Sequence, residues 1–240
     1  MDQSLKIVLG LAIVLAVFAG GYFFVVDSPT VSAQGTSTLK ATPDIVSVYL
    51  TVEARSVSSA KSAQDAHKAM LDSLNDNLDL VGISKDEIKT SYYNIGPEYD
   101  WNKDGQSLKG YLATQQIIIE LKDFSRVVSV VDSAINSGVS ISGINFELSP
   151  EKQSEYKTQA IEQASADAKD KASATASGLG KKLGKLVSVQ SQDFNYGPVV
   201  YYAKADAFAT GASEARDAAV QINPTELSVY ANVGVTYTIK

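Results

Sequence analysis

The chain contains no cysteine and only one histidine, His67. The lack of cysteine excludes disulfide bonds, thiol catalysis, thiolate metal sites and lipidation on cysteine. A single histidine excludes a metal site built from several histidines of one chain. Basic residues are outnumbered as well: 21 Lys and Arg stand against 27 Asp and Glu, which gives a net charge of −6. No segment is basic enough to neutralise several phosphates, and this argues against nucleic acid as a partner.

Recognisable catalytic motifs are also lacking. The chain has no G-x-S-x-G segment, so a Ser–His–Asp hydrolase has no nucleophile in the expected setting. His67 falls on or beside the buried face of a predicted helix, and a lone histidine is more often a surface or boundary residue than a catalytic one. Hydrophobic residues make up 45% of the chain and charged residues 20%, a composition typical of a folded protein. The sequence therefore predicts a folded protein that is not an enzyme.

One long run without charge is present, at residues 7–26. A helix of that length spans about 30 Å, the thickness of a bilayer core. Two interpretations remain open: an uncleaved membrane anchor, or a signal peptide cleaved after Val31-Ser32-Ala33. The domains are then residues 1–33, the anchor or signal peptide with its linker, and residues 34–240, the folded body.

The predicted location of the body is outside the cytoplasm. Lys6 precedes the apolar run, Asp27 follows it, and Lys40 is the only basic residue between Asp27 and Arg55. This distribution favours an N-terminus inside and a body outside, in a membrane protein with a single N-terminal span. Cleavage after Ala33 would instead give a secreted or periplasmic protein.

Beyond this segment, patterns of period two alternate with patterns of period three to four. Residues 27–35 are interpreted as a polar linker, and the run Ile117-Ile118-Ile119 predicts a central strand. Helices are expected at residues 58–81 and 124–135, ended by Gly82 and Gly138. Strands are expected at residues 44–55, 87–99, 108–122, 141–148, 185–192 and 226–239.

A third helix begins at Ser149 as N-cap, with Pro150 in the first helical position. An alanine stripe follows at steps of four: Tyr156, Ala160, Ala164, Ala168, Ala172 and Ala176. The first six elements run strand–helix–strand–strand–helix–strand, the order of a ferredoxin-like split βαβ core. The predicted fold class is therefore α+β, with this core extended by the long alanine-rich helix and C-terminal strands.

Several short motifs resemble the SIMPL-domain family over nearly all of the chain after Gly35. They are Thr38-Leu39-Lys40-Ala41, Pro43-Asp44, Gly82-Ile83 with Ile88, Thr90 and Tyr92, Pro97 with Tyr99, Gly110-Tyr111, and Ile222-Asn223-Pro224 before the last strand. The resemblance implies an α+β extracytoplasmic domain of poorly defined biochemistry, often associated with the envelope or with oxidative stress. The family supplies no catalytic residues to transfer.

A calcium loop is one candidate site. Asp100, Asn102 and Asp104, followed by Gly105, match positions one, three, five and six of such a loop. Position twelve, which should be Glu, is Tyr111. Asp-Gly is also a common turn pair at a hairpin tip, so calcium binding and a plain turn remain alternatives.

Residues 195–224 form the longest segment without a regular pattern, and they are rich in aromatic residues. Such segments are often functional or mobile. We interpret Tyr196, Tyr201, Tyr202 and Phe208 as a candidate interaction surface. The sequence then favours a non-enzymatic envelope protein that acts as a homo-oligomer or binds an envelope partner, without a cofactor. A calcium-dependent binding module and an unrecognised hydrolase are the alternatives.

Overall fold

A computed structural model describes residues 29–102, 105–197, 199–201 and 225–240. Within them, the helices are α1 (Ala60–Leu80), α2 (Val127–Asn136) and α3 (Pro150–Gly178), with short 3-10 turns at Lys85–Glu87 and Phe124–Arg126. The strands are β1 (Thr30–Ala41), β2 (Ile45–Ser56), β3 (Ile88–Asn102), β4 (Gly105–Leu121), β5 (Ser140–Glu147), β6 (Leu183–Tyr196), β7 (Val199–Tyr201) and β8 (Leu227–Ile239).

These elements confirm the α+β class, and two segments differ from the prediction. The proposed linker at residues 27–35 is wrong from residue 30 onward, because β1 begins at Thr30. Its alternating burial, with Val31 and Gly35 buried, is hidden in the sequence by small and polar residues. Residues 195–224 are also more regular than expected at their start, where β6 runs to Tyr196 and β7 follows.

The described residues divide into two compact units. The first contains residues 29–37, Ile161–Asp193 and Ala231–Lys240, and the second contains Thr38–Ala160 with residues 194–197, 199–201 and 225–230. In the second unit the strand order is β3-β4-β2-β5-β7, and every described pairing in this sheet is antiparallel. The middle strand is β2, and β4 lies beside it, so the isoleucine run is interior but not central.

One face of this sheet carries the core of the second unit. Alternate residues of β2 and β4 point to α1 and α2, and register brings Val48 opposite Ile119 and Leu50 opposite Ile117. Leu74 and Leu78 of α1 and Val130 of α2 complete the cluster with no exposed area. Gly82 and Gly138 end the two helices with φ of 75° and 69°, as the sequence predicts.

The first unit is built on close approach between β1 and α3. Its strands follow the order β1-β8-β6. The alanine stripe is fully buried from Ala160 to Ala176. A β-carbon placed on Gly35 would stand 1.9 Å from the carbonyl oxygen of Ala164 and 2.3 Å from the backbone nitrogen of Ala168. The strand and the helix therefore meet almost backbone to backbone, which only glycine and alanine allow.

Two polar contacts fix the register of this approach. The backbone N–H of Thr36 donates to the Asp167 carboxylate at 2.8 Å. The hydroxyl of Ser37 donates to the side-chain oxygen of Gln163 at 3.3 Å. The Lys171 ammonium and the Thr36 N–H hold the pKa of Asp167 below its usual value. Successive residues of β1 thus pack against and hydrogen-bond to one helix.

No helix within the residues that the structure describes is long and apolar enough to cross a membrane. The apolar run at residues 7–26, on which the anchor prediction rests, lies outside those residues.

Replacing Gly35 with alanine is expected to lower the free energy of unfolding by about 3 kcal/mol, because the new methyl group overlaps the α3 backbone. Urea unfolding of the full chain in mild detergent measures the effect. Gly178→Ala is the matched control, because a β-carbon there meets nothing within 4 Å. Equal stability of the two variants would contradict the close packing.

Candidate functional site

The β3–β4 hairpin contains the predicted calcium loop. Asp100 lies opposite Ser107, and Asn102 lies opposite Gly105. Asp104 is outside the described residues, as is Lys103. Gly105 has φ of 116°, the left-handed geometry expected where the chain turns. Because both strands stay paired up to this turn, positions seven to twelve of a calcium loop would fall within β4. Calcium binding by Asp100, Asn102 and Asp104 stays a prediction.

The predicted aromatic surface is described only in part. Tyr196 is half-buried, and its ring lies 6.1 Å from that of Phe194. Burial and the charge of Glu147 raise the pKa of Tyr196, while a hydrogen bond with Gln153 opposes this shift. The backbone of Tyr201 pairs with Ile144 in β5. Tyr202 and Phe208 lie outside the described residues. Tyr196 thus has partners within its own unit.

Edge strands present a second kind of candidate surface, because unpaired backbone groups can bind another strand. Three of the described edges are protected. The Thr36 N–H of β1 is occupied by Asp167. Strand β3 contains Pro97 and two register shifts, and β7 has only three residues. Proline, bulges and short length are all features that prevent pairing between sheets.

Strand β6 has none of these features over residues 186–190. It is an edge strand of 14 residues, and every side chain from Lys185 to Gln190 is exposed. Three of those side chains are apolar, with exposed fractions of 51% for Leu186, 56% for Val187 and 53% for Val189. A long edge that exposes apolar β-branched residues is typical of a surface that pairs with another chain.

A cavity of about 490 Å³ lies between α1 and the β3–β4 strands. His67, on α1, is only 3% exposed, and its Nε2 atom has no hydrogen-bond partner among the residues that the structure describes. Its ring meets that of Tyr93 edge-on, with 5.5 Å between the centroids. Gln115, on β4, is 9% exposed and donates through Nε2 to the Thr90 hydroxyl at 3.1 Å. The polar side chains of His67 and Gln115 are therefore buried on faces of α1 and β4 whose other buried residues are apolar.

Sequence reasoning placed His67 near the core but missed Gln115. The signal was present: Ala113, Ile117, Ile119 and Leu121 mark the buried face of β4, and Gln115 is the one polar residue in that alternation. A polar residue at a core position is costly, so it is a useful marker of function. Across the described residues, no group of three or more His, Asp or Glu side chains could hold a metal ion.

The Pro43-Asp44 pair has a clear structural role. The Asp44 carboxylate accepts hydrogen bonds from both the backbone N–H and the hydroxyl of Ser149, each at 2.7 Å. Ser149 in turn accepts from the backbone N–H of Lys152, as an N-cap residue does. Asp44 thus holds the first turn of α3 against the start of β2.

The described residues form an α+β fold with an unprotected edge strand, β6, and a cavity lined by His67 and Gln115. The chain matches the SIMPL family, described as proteins of unknown function (DUF541), over residues 31–237. It is similar to the uncharacterized protein YggE of Escherichia coli strain K12, with 31% identity over 204 residues, 82% of this chain and 80% of that protein. YggE of Edwardsiella ictaluri strain 93-146 is 30% identical over 176 residues, 72% of each chain.

The chain therefore belongs to the SIMPL family, which confirms the resemblance inferred from its motifs. Two residues of those motifs have structural roles. Asp44 accepts the hydrogen bond of the Ser149 hydroxyl, and Gly82 adopts the positive φ at which α1 ends.

Asp44→Ala is expected to lower the free energy of unfolding by about 1–2 kcal/mol, because the Ser149 N–H and hydroxyl lose a charged acceptor. Thermal or urea unfolding of the full chain measures the loss. Asp170→Ala, at an exposed position of α3, is the control and should change stability by less than about 0.5 kcal/mol.

His67 should make the protein less stable in weak acid. Burial lowers the pKa of His67, so below about pH 6.5 the unfolded chain binds a proton that the native chain does not. The free energy of unfolding then falls as the pH decreases, by up to about 1.4 kcal/mol per pH unit. His67→Leu should reduce this dependence between pH 7 and 5. Parallel pH profiles for the two proteins would contradict the assignment.

Proposed function

We propose that the protein is a non-enzymatic component of the cell envelope that works by self-association, with β6 pairing to β6 of a second copy. The supporting observation is the exposed apolar edge at Leu186, Val187 and Val189. This edge is the unprotected one among the described edge strands. The absence of a recognised catalytic motif is the reason for proposing a binding role.

Geometry favours a particular register for this pairing. Two identical antiparallel strands related by a twofold axis perpendicular to the sheet must place residues of the same parity opposite one another. With the axis at Ser188, Val187 of one copy lies opposite Val189 of the other, and the reverse pair forms by symmetry. Four valines then meet on one face of the joined sheet, and cross-strand β-branched pairs stabilise such sheets.

The same proposal includes an N-terminal anchor that is retained. Cleavage after Ala33 would remove the first four residues of β1. Val31 is 7% exposed, and the Ser32 hydroxyl lies 2.9 Å from that of Thr236, so these residues contribute to the folded strand. Retention keeps β1 whole and tethers the body to the membrane, on the outer side according to the charge distribution. A role in stress defence would then be exerted from the envelope.

The fold assignment within the proposal is a ferredoxin-like core. Its support is the strand order β3-β4-β2-β5, in which β2, α1 and β3 form a split unit around β4.

The alanine stripe does not serve the proposed assembly, because those alanines are buried within the chain itself.

Val189→Lys should convert the assembled protein to a smaller species, since it places like charges near one another across the paired edge. Light scattering on the full chain in mild detergent measures the mass. Leu179→Lys is the matched control, because Leu179 is 65% exposed and lies outside the strands. A monomeric parent protein, or equal loss of assembly in the control, would contradict the proposal.

The register can be tested by a single cysteine, since the natural chain has none. Ser188→Cys should give a disulfide-linked dimer on mild oxidation, because residues on the twofold axis lie about 4.5–5.5 Å apart between Cα atoms. Ser177→Cys, at an exposed position of α3, should give little dimer. Capture of a different envelope protein by β6, with no homodimer, would replace the second copy with that partner.

A further inference from the structure

The cavity beside His67 is large enough to bind a small molecule. Its volume of about 490 Å³ lies within the usual range for ligand pockets. Helix α1 supplies one wall through Lys61, His67, Lys68 and Leu71, and the sheet supplies the other through Tyr93 and Gln115. The whole lining belongs to the second unit.

Two buried polar side chains in this wall, His67 and Gln115, interrupt otherwise apolar faces, and of the two only Gln115 is seen to donate a hydrogen bond to a described residue, Thr90. The neighbours of His67 on the buried face of α1 are Ala63, Leu74 and Leu78, and those of Gln115 on β4 are Ala113 and Ile117. An apolar residue at either position would continue the core. The His67 Nε2 atom has no partner within the described residues. A buried polar atom without a partner, as at His67, is expected where a site, and not packing, determines the residue.

The lining combines charged, polar, apolar and aromatic side chains. Lys61, Asp65 and Lys68 line the cavity, and each of the two lysines is paired with one carboxylate, Lys61 with Asp65 and Lys68 with Asp72. The salt bridges of both lysines, to Asp65 and Asp72, are exposed to solvent and therefore weak, so the lysines can turn to a bound anion. Leu71 and the half-exposed Tyr93 ring offer apolar and aromatic contact to a flat body.

We infer that this cavity binds a small aromatic carboxylate, with its ring beside Tyr93 and Leu71 and its carboxylate at the rim lysines, while Gln115 and His67 supply polar contacts in the wall. This inference goes beyond the proposed self-association and does not depend on it, because β6 contributes nothing to the cavity. The burial of His67 lowers its pKa and keeps the ring neutral at pH 7.5, so the positive charge of the site comes from the lysines alone.

Because His67 is the only histidine, its ring signals in a ¹³C-labelled full chain report directly on the cavity. Benzoate is the probe, titrated at pH 7.5 in mild detergent. We expect a saturable shift of the His67 signals, with half-saturation at about 1 mM or below. Benzylammonium, which has a similar ring and the opposite charge, should bind at least about tenfold more weakly. No saturation by 20 mM (about 20 times the expected midpoint), or equal binding of the two compounds, would overturn the inference.

Two variants separate binding from packing. Lys68→Ala should weaken benzoate binding by about threefold to tenfold, whereas Lys85→Ala, outside the cavity, should not change it. Gln115→Leu restores the apolar pattern of β4, so the fold and its melting temperature should be kept while benzoate binding falls at least about tenfold. If Gln115→Leu and Lys68→Ala both bind benzoate like the parent chain, the cavity is not the site.

Discussion

The contact on which the first unit depends is the approach of β1 to α3 at Gly35. At this point a strand backbone and a helix backbone lie closer than any side chain allows. Ala164 and Ala168 of α3 form this contact with Gly35, and Asp167 and Gln163 fix its register through Thr36 and Ser37. An alanine stripe buries little apolar area per residue, so close packing and these hydrogen bonds stabilise the approach, beside the buried Val31, Val233 and Val235 of the same unit.

The sequence was informative where periodicity is strong. The alternation in β2 and β4, the three-to-four spacing in α1, and the glycines at positions 82 and 138 all predicted elements that the structure contains. It failed over the first half of β1, because Ser32, Gln34, Gly35 and Thr36 have little strand propensity and are ordered by tertiary contacts with α3 and β8. For the candidate sites, the exposure of β6 could not be read from its pattern, because Val187 and Val189 resemble core residues. The sequence shows Gln115 as a polar residue among apolar ones on β4. Only the structure shows that it lines the same cavity as His67.

Protected and unprotected edges occur together in this chain, and the difference is physically informative. A carboxylate occupies the exposed N–H of β1, a proline and bulges interrupt β3, and β7 is short. Selection for solubility explains such protection in general. Exposure of Leu186, Val187 and Val189 to water is unfavourable in a monomer. Pairing of β6 with another strand would reduce that exposure. Charge alone does not protect the segment, since Lys185 is its single charged residue between residues 183 and 190.

The pairing of β1 with β8 has a consequence for the order in which the chain can fold. Ser32 and Thr236 meet across 204 residues of sequence, so β1 leaves the ribosome long before its partner strand exists. The second unit contains most of its pairings within a continuous stretch and can form during synthesis. Strand β1 cannot pair with β8 until residues Leu227–Ile239 have been synthesised. Deleting residues of β8 would therefore release β1, although the two strands are about 200 residues apart in the sequence.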